Sequence, residues 1–217
     1  MKRLTRPDEP DTLKTIRDKG SIPWREAPKA DIWKALDEMQ NNFCAYCERK
    51  LSDDKKHIEH FQTQCDSPHL TFVWENLFGS CGEGNWDSCG IFKDTKGRPY
   101  NYTELIKPDQ DNPREYLLFL TNGQVVPHPD SSSNSREKAV TTIRVFNLNS
   151  AHKLVGARRE VLRSSIRLAK EIYECWGNGH IDKDIFVELI QDELESIQGR
   201  EFETALRDLF EYNRDYA

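Results

Sequence analysis

The feature that most constrains this chain is a Cys44-Ala45-Tyr46-Cys47 turn opening a stretch, from Phe43 to about Tyr102, that is rich in Gly, Cys and His and poor in apolar runs. Such a stretch needs something other than a large hydrophobic core to hold it. A C-x2-C turn places two thiolates on one side of a tetrahedron, which is the geometry Zn²⁺ prefers. A second pair, Cys81 and Cys89, begins thirty-four residues beyond Cys47 with a wider C-x7-C spacing. The alternative is that these are ordinary buried cysteines. The shortage of core favours a structural zinc held by Cys44, Cys47, Cys81 and Cys89. Cys65 and Cys175 read as strays.

Between the two pairs lie His57-Ile58-Glu59-His60-Phe61, then Trp74-Glu75-Asn76-Leu77, then Asn85. A carboxylate beside a histidine suits phosphodiester hydrolysis. The carboxylate offers oxygen to a hard divalent cation, and a near-neutral imidazole accepts a proton from water. An Asn can orient the imidazole through its amide. Each residue also has a plainer reading: His57 and His60 as zinc ligands, His57 as a strand cap, Asn76 as a turn residue. The ordered set enclosed by both cysteine pairs favours catalysis. A zinc nucleobase deaminase would need Pro-Cys-x-x-Cys after His57-x-Glu59, and no such motif follows.

The pattern C-x2-C, Glu-His, Asn sixteen residues on, and Cys five beyond that resembles the HNH (ββα-metal) endonuclease family. The longer string, with Trp-Glu-Asn-Leu-Phe and Cys89-Gly90-Ile91-Phe92-Lys93-Asp94, is similar to the PtuB-type nucleases of Septu and retron-linked antiphage defence. The motif resemblance covers about Ala30 to Asp94. It implies His60 as general base, Glu59 as ligand of a catalytic Mg²⁺ or another divalent cation, Asn76 as support for the loop and the base, and Asn85 as second metal ligand. It further implies an effector complex with an ABC/SMC-like ATPase, in retron versions with a reverse transcriptase–DNA complex. The substrate would be DNA or RNA, tRNA included. Gly84 departs from the family, because a cysteine normally stands there. An alternative alignment brings Gly90 to the ligand position and leaves Asn85, Asp87 or Asp94 to bind the metal. The main non-enzyme alternative is a zinc-stabilised treble-clef interaction subunit.

The expected fold is α+β: residues 1–28 irregular, 29–105 an HNH module, 106–149 a β-hairpin and loop region, and 150–217 helical. Pro7, Pro10, Pro23 and Pro28 argue against regular structure at the start. Lys29–Gln40 has helical spacing of Ile32, Trp33, Leu36 and Met39. Tyr116–Leu120, Asn122-Gly123 and Val125-Val126 predict a hairpin, and residues 130–135 a polar loop. Helices are expected over 150–176, 181–197 and 200–213. In the first, Leu154, Val161, Leu168, Ile172 and Cys175 form the expected inward stripe, and Arg159, Arg163, Arg167 and Lys170 the opposite one. That cationic row, with Lys93, Lys96 and Arg98, supplies candidate phosphate contacts. The chain's net charge of −6 does not exclude them: residues 181–217 carry eleven acids and four bases, leaving +1 for residues 1–180. The first residues lack an apolar leader and no stretch is long enough to span a bilayer, so a cytoplasmic location is expected.

Overall fold

The computed structural model describes residues 1–20, 22–82, 87–150 and 154–212. It is an α+β protein built around a small ββα unit. Strand β1 (Lys56–His60) pairs antiparallel with β2 (Leu77–Cys81), so that His57 faces Ser80 and His60 faces Leu77. Helix α3 (Cys89–Thr95) packs on both strands.

Residues 1–28 are more ordered than their four prolines suggest. Pro10 is the N-cap of α1 (Asp11–Lys19), whose Leu13 and Ile16 are buried. Proline at a helix start removes a donor that would have no partner anyway. The stretch before it clamps the Trp74–Leu77 motif. Arg6 donates to the carbonyls of Trp74 (2.8 Å) and Leu77 (3.0 Å), and Trp74 Nε1 donates to Pro7 O at 3.1 Å. Helix α2 (Ala30–Gln40) follows, burying Ile32, Leu36 and Met39, and ends on Asn41 in the left-handed region (φ 52°). Its buried Gln40 exchanges hydrogen bonds with Gly79 on β2, fixing α2 against the sheet (2.8 and 2.7 Å).

The hairpin forms as expected, β3 (Leu117–Phe119) with β4 (Val125–Pro127). Gly123 in its turn has φ +87°, and an added Cβ would lie 2.3 Å from Val155 O, so both torsion and space require glycine there. The polar run at 130–135 is not all loop. Ser132 accepts from Ser135 N at 3.2 Å as the N-cap of α4 (Ser133–Val145).

Helices α5 (Gly156–Gly177), α6 (Lys183–Ser196) and α7 (Glu203–Glu211) agree with the expected helical region. The expected inward stripe holds only in part, at Leu154 and Ile172, which are buried. The buried residues of α5 are Arg158, Leu162, Ser165, Ala169 and Ile172, while Leu168 is exposed and Val161 and Cys175 are only half-buried. Arg158 takes an inward place: its guanidinium is buried, donating to Gly123 O at 2.8 Å and to Leu148 O. One contiguous cluster of buried side chains runs from Met1 to Phe210 and joins all these elements. Among the described residues no helix is long and apolar enough to cross a membrane.

Candidate functional site

Four sulfurs meet at one edge of the ββα unit. Cys44 and Cys47 lie on the turn after α2, closed by a Phe43–Lys50 bridge and a Cys44 N to Arg49 O bond of 2.8 Å. Cys81 ends β2, and Cys89 begins α3. The wide C-x7-C spacing therefore still brings both thiols to one point. The Sγ atoms of Cys44, Cys47, Cys81 and Cys89 all lie within 4.8 Å of one another, are buried, and form no disulfide. A tetrahedral Zn–S₄ centre has sulfurs about 3.8 Å apart, so these side chains fit a zinc ion with small adjustments. Cys89 adopts φ +60°, an unfavourable torsion for a residue with a Cβ, where the chain turns from loop into helix beside the other sulfurs.

The charge state agrees with a cation-binding centre. Burial opposes ionisation of Cys44, yet hydrogen bonds from Cys47, Cys81 and Cys89 hold it well below the usual thiol range. Its contact with Cys44 then pushes Cys89 well above that range. Four sulfurs this close cannot all ionise without a cation among them. The knuckle is also fixed to the core. Tyr46 stacks on Phe146 (centroids 4.2 Å apart), and Cys89 N donates to Phe146 O at 2.8 Å.

An open cleft of about 310 Å³ is bordered by Trp24, His57, Glu59, His60, Gln64 and Asp94. The strand's pleat puts His57 and Glu59 on one face, with His57 Nε2 3.2 Å from Glu59 Oε2. His60 ends the strand, 94% buried. Its Nε2 lies 3.0 Å from the carbonyl of Thr71, which only an Nε2–H tautomer satisfies. Nδ1 is then left with its lone pair, 3.4 Å from the amide of Gln64. Burial lowers the His60 pKa, so the ring is neutral at pH 7.

Asn76 does not reach the imidazole directly. Its amide donates to Gln62 O (3.0 Å) and Leu70 O (3.2 Å), and its carbonyl accepts from Gln62 N (2.8 Å). These three bonds staple the 62–71 loop, whose Gln64 and Thr71 hold the two ring nitrogens. Asn76 thus bears on His60 through the loop.

Glu59 is 98% buried, and burial opposes its ionisation, but the charge of Lys93 holds it below the usual carboxylate range. Lys93 Nζ is 2.8 Å from Glu59 Oε1 and also contacts Asp94. Lys93 cannot serve as a phosphate contact in this arrangement, because it is fully buried. Its neighbour Asp94, partly desolvated and facing the charge of Glu59, is pushed up to about 6, although its side chain is still 38% exposed. Among the described residues the four cysteines are the sole group of three or more Cys, His, Asp or Glu donors close enough to share an ion. At the cleft, the Lys93 ammonium stands between the carboxylates of Glu59 and Asp94. Asn85, the expected second ligand, lies outside the described residues. Asp87 is not at the cleft; it is 3.9 Å from Lys96.

The other candidate phosphate contacts are exposed but partnered. Arg98 pairs with Asp66, Arg163 with Glu160 (3.5 Å), Arg167 with Glu171 (3.0 Å) and Lys170 with Glu174 (3.7 Å). Arg159 is exposed on the same helix. Sequence reasoning misses Gln64, Thr71, Trp24 and the inward turn of Lys93. For Lys93 a signal exists: it lies four residues after Cys89 in a helix, so an inward Cys89 brings Lys93 inward with it.

The fold and site define an α+β protein in which a buried four-cysteine centre braces a histidine–carboxylate strand. No family model matches the chain. The Septu protein PtuB of Bacillus thuringiensis is 28% identical over 192 residues, which is 84% of this chain and 68% of that protein. A protein of Vibrio cholerae serotype O1 biovar El Tor named "Retron Vc95 putative HNH endonuclease" is 25% identical over 154 residues, 69% of this chain and 72% of its own. The chain is a relative of these two proteins, and the HNH resemblance of its motifs has the same direction.

Proposed function

We propose that this chain is a divalent-cation-dependent HNH endonuclease that hydrolyses phosphodiester bonds as the effector of an antiphage defence complex. The observation that carries the reading is His60: a buried, neutral imidazole, held at Nε2 by Thr71 O, with its Nδ1 lone pair facing a long 3.4 Å contact from Gln64 in an open cleft that Glu59 also lines. In this reading Nδ1 takes a proton from the attacking water. Asn76 keeps the base in place by holding the 62–71 loop. Glu59 and a second residue, Asn85 or Asp94, supply oxygen donors. A bound Mg²⁺ or similar ion would supply charge stabilisation on the phosphate. The four cysteines would carry Zn²⁺ as a staple for β2, the Cys44–Cys47 turn and α3. Lys96, Arg98 and the α5 arginines would lend weak backbone contacts, since each paired cation must first give up its carboxylate.

The names of the two relatives, a Septu protein and a "Retron Vc95 putative HNH endonuclease", support the defence setting. A partner ATPase of the ABC/SMC type, with a reverse transcriptase–DNA complex in retron versions, is part of the proposal. The test is incubation of the purified chain with plasmid DNA and with total cellular RNA, with and without Mg²⁺ and the co-encoded ATPase. Cleavage of either polymer that requires the divalent ion supports the reading. No cleavage of either, with the partner present, rejects it. A zinc-stabilised interaction subunit without turnover is favoured by two features: Gly90 offers no donor, and Lys93 fills the carboxylate pair.

A further inference from the structure

The space between Glu59 and Asp94 is filled by the protein's own cation. Lys93 has no exposed surface, and its ammonium lies 2.8 Å from Glu59 Oε1 and in contact with Asp94 Oδ1. It also donates to the carbonyl of His60 (3.2 Å) and to Tyr100 Oη (3.4 Å). Glu59 is pressed against the start of α3: a Cβ on Gly90 would fall 2.2 Å from its Oε2. Glycine at position 90 therefore leaves room for the carboxylate where a side-chain donor would displace it. The cleft holds one ammonium shared by two acids at the place where a hydrolytic centre needs a hard cation.

We propose that Lys93 is a tethered stand-in for the divalent ion, and that ion binding in this cleft is an exchange that drives the ammonium out. The inference rests on the cation-dependent reading of the cleft. An ammonium and a divalent ion on the same buried carboxylate would stand about 4–5 Å apart, where their repulsion is poorly screened. Both cannot stay. The four-carbon stem of lysine lets the ammonium move while its backbone stays in α3. Tyr100, half-buried with its ring centroid 5.9 Å from Nζ, offers a face to receive the displaced charge. With no ion bound, Lys93 keeps the buried Glu59 carboxylate and the more exposed Asp94 from repelling each other out of the cleft. Lys93 is thus a positioning residue that also sets how tightly the centre takes metal.

The experiment is a Mn²⁺ titration of the full chain with its thiolate centre loaded, followed by the signal of free Mn²⁺. Lys93→Met keeps the length of the stem and removes the charge. Mn²⁺ is expected to bind this variant at least about tenfold more tightly than the wild type. A purely structural lysine gives equal or weaker binding in the variant, and that result overturns the exchange. Glu59→Gln should abolish the same binding in both backgrounds. Should Lys93→Met not fold, lysine acetylation of the wild type, mapped by mass spectrometry, gives the answer: Lys93 unmodified without Mn²⁺ and modified with it. Lys93 still unmodified at saturating Mn²⁺ overturns the proposal. If no Glu59-dependent Mn²⁺ binding exists in either protein, the cation reading of the cleft fails and the exchange falls with it. Glu59-dependent binding indifferent to Lys93 rejects the exchange alone.

Discussion

Two donor-rich regions of the ββα unit are built on opposite principles. The four-cysteine centre gathers identical soft donors within 4.8 Å, all buried, at the meeting point of a turn, a strand end and a helix start. The Glu59–His60 cleft gathers unlike donors loosely, is open to solvent, and has its charge balanced internally by Lys93. A centre that ties elements together gains from closure and from having no internal substitute for its ion. A centre that admits substrate needs space, mixed donors and a way to stay folded between ions. On the proposed reading, one region carries stability and the other the chemistry.

That division can be broken most severely at the thiolates. Cys47→Ser removes one of four buried donors and leaves three thiols crowded together. It should cost roughly 3–5 kcal/mol and lower the thermal midpoint by about 10 °C, with zinc lost in parallel. Calorimetry and metal analysis of the same sample check it. An unchanged midpoint would mean that the cysteines are ordinary core.

Asn76→Ala probes the link between the regions and the loop over the base. It strands the Gln62 and Leu70 carbonyls and should destabilise the fold by about 1–3 kcal/mol. The turnover number should drop by more than KM rises, because Thr71 and Gln64 no longer hold both ring nitrogens. Asn76→Asp, which keeps one acceptor for Gln62 N, should recover part of the stability but little of the turnover.

The pH profile gives a smaller, signed effect. Burial lowers the His60 pKa below the ordinary 6.5. The neutral, proton-accepting form therefore persists below that pH, and the acid limb of the cleavage rate should lie under pH 6.5. A rate that already halves above pH 6.5 would mean the base is an unperturbed, exposed histidine or another group.

The smallest effect is expected on α5. Arg163 and Arg167 are 73% and 86% exposed at their side chains and each faces an acid one turn away. Replacing both with Gln should change KM by about twofold, and the slope of log K against log salt by less than one contact's worth, about 0.9. A larger change would make this helix the main substrate track.

The parts legible in the sequence are those whose chemistry depends on residue type and spacing. Cys44-x2-Cys47 announces a thiolate turn, and its sulfurs do meet those of Cys81 and Cys89. The hairpin is legible from Asn122-Gly123, because that turn type demands the left-handed region. Helix α1 is hidden because Pro10 reads as a breaker when it is an N-cap. Helix α4 is hidden because Ser132 opens a polar run and the buried positions Ala139, Thr142 and Val145 make a thin stripe with Val140 exposed. The inward face of α5 is misjudged in part, for a different reason: a buried arginine, Arg158, takes an inward place that an apolar pattern would never give it. Lys93 is misjudged likewise, since a lysine is assigned to the surface until the buried carboxylate of Glu59 is found beside it.

The claim that the two centres have separable work is tested most directly by His60→Ala, assayed for cleavage after its zinc content has been measured. One zinc per chain in both proteins is predicted, with cleavage reduced by a factor of about 10² to 10⁴ in the variant. Cleavage at the wild-type rate in a zinc-loaded His60→Ala protein would contradict the account.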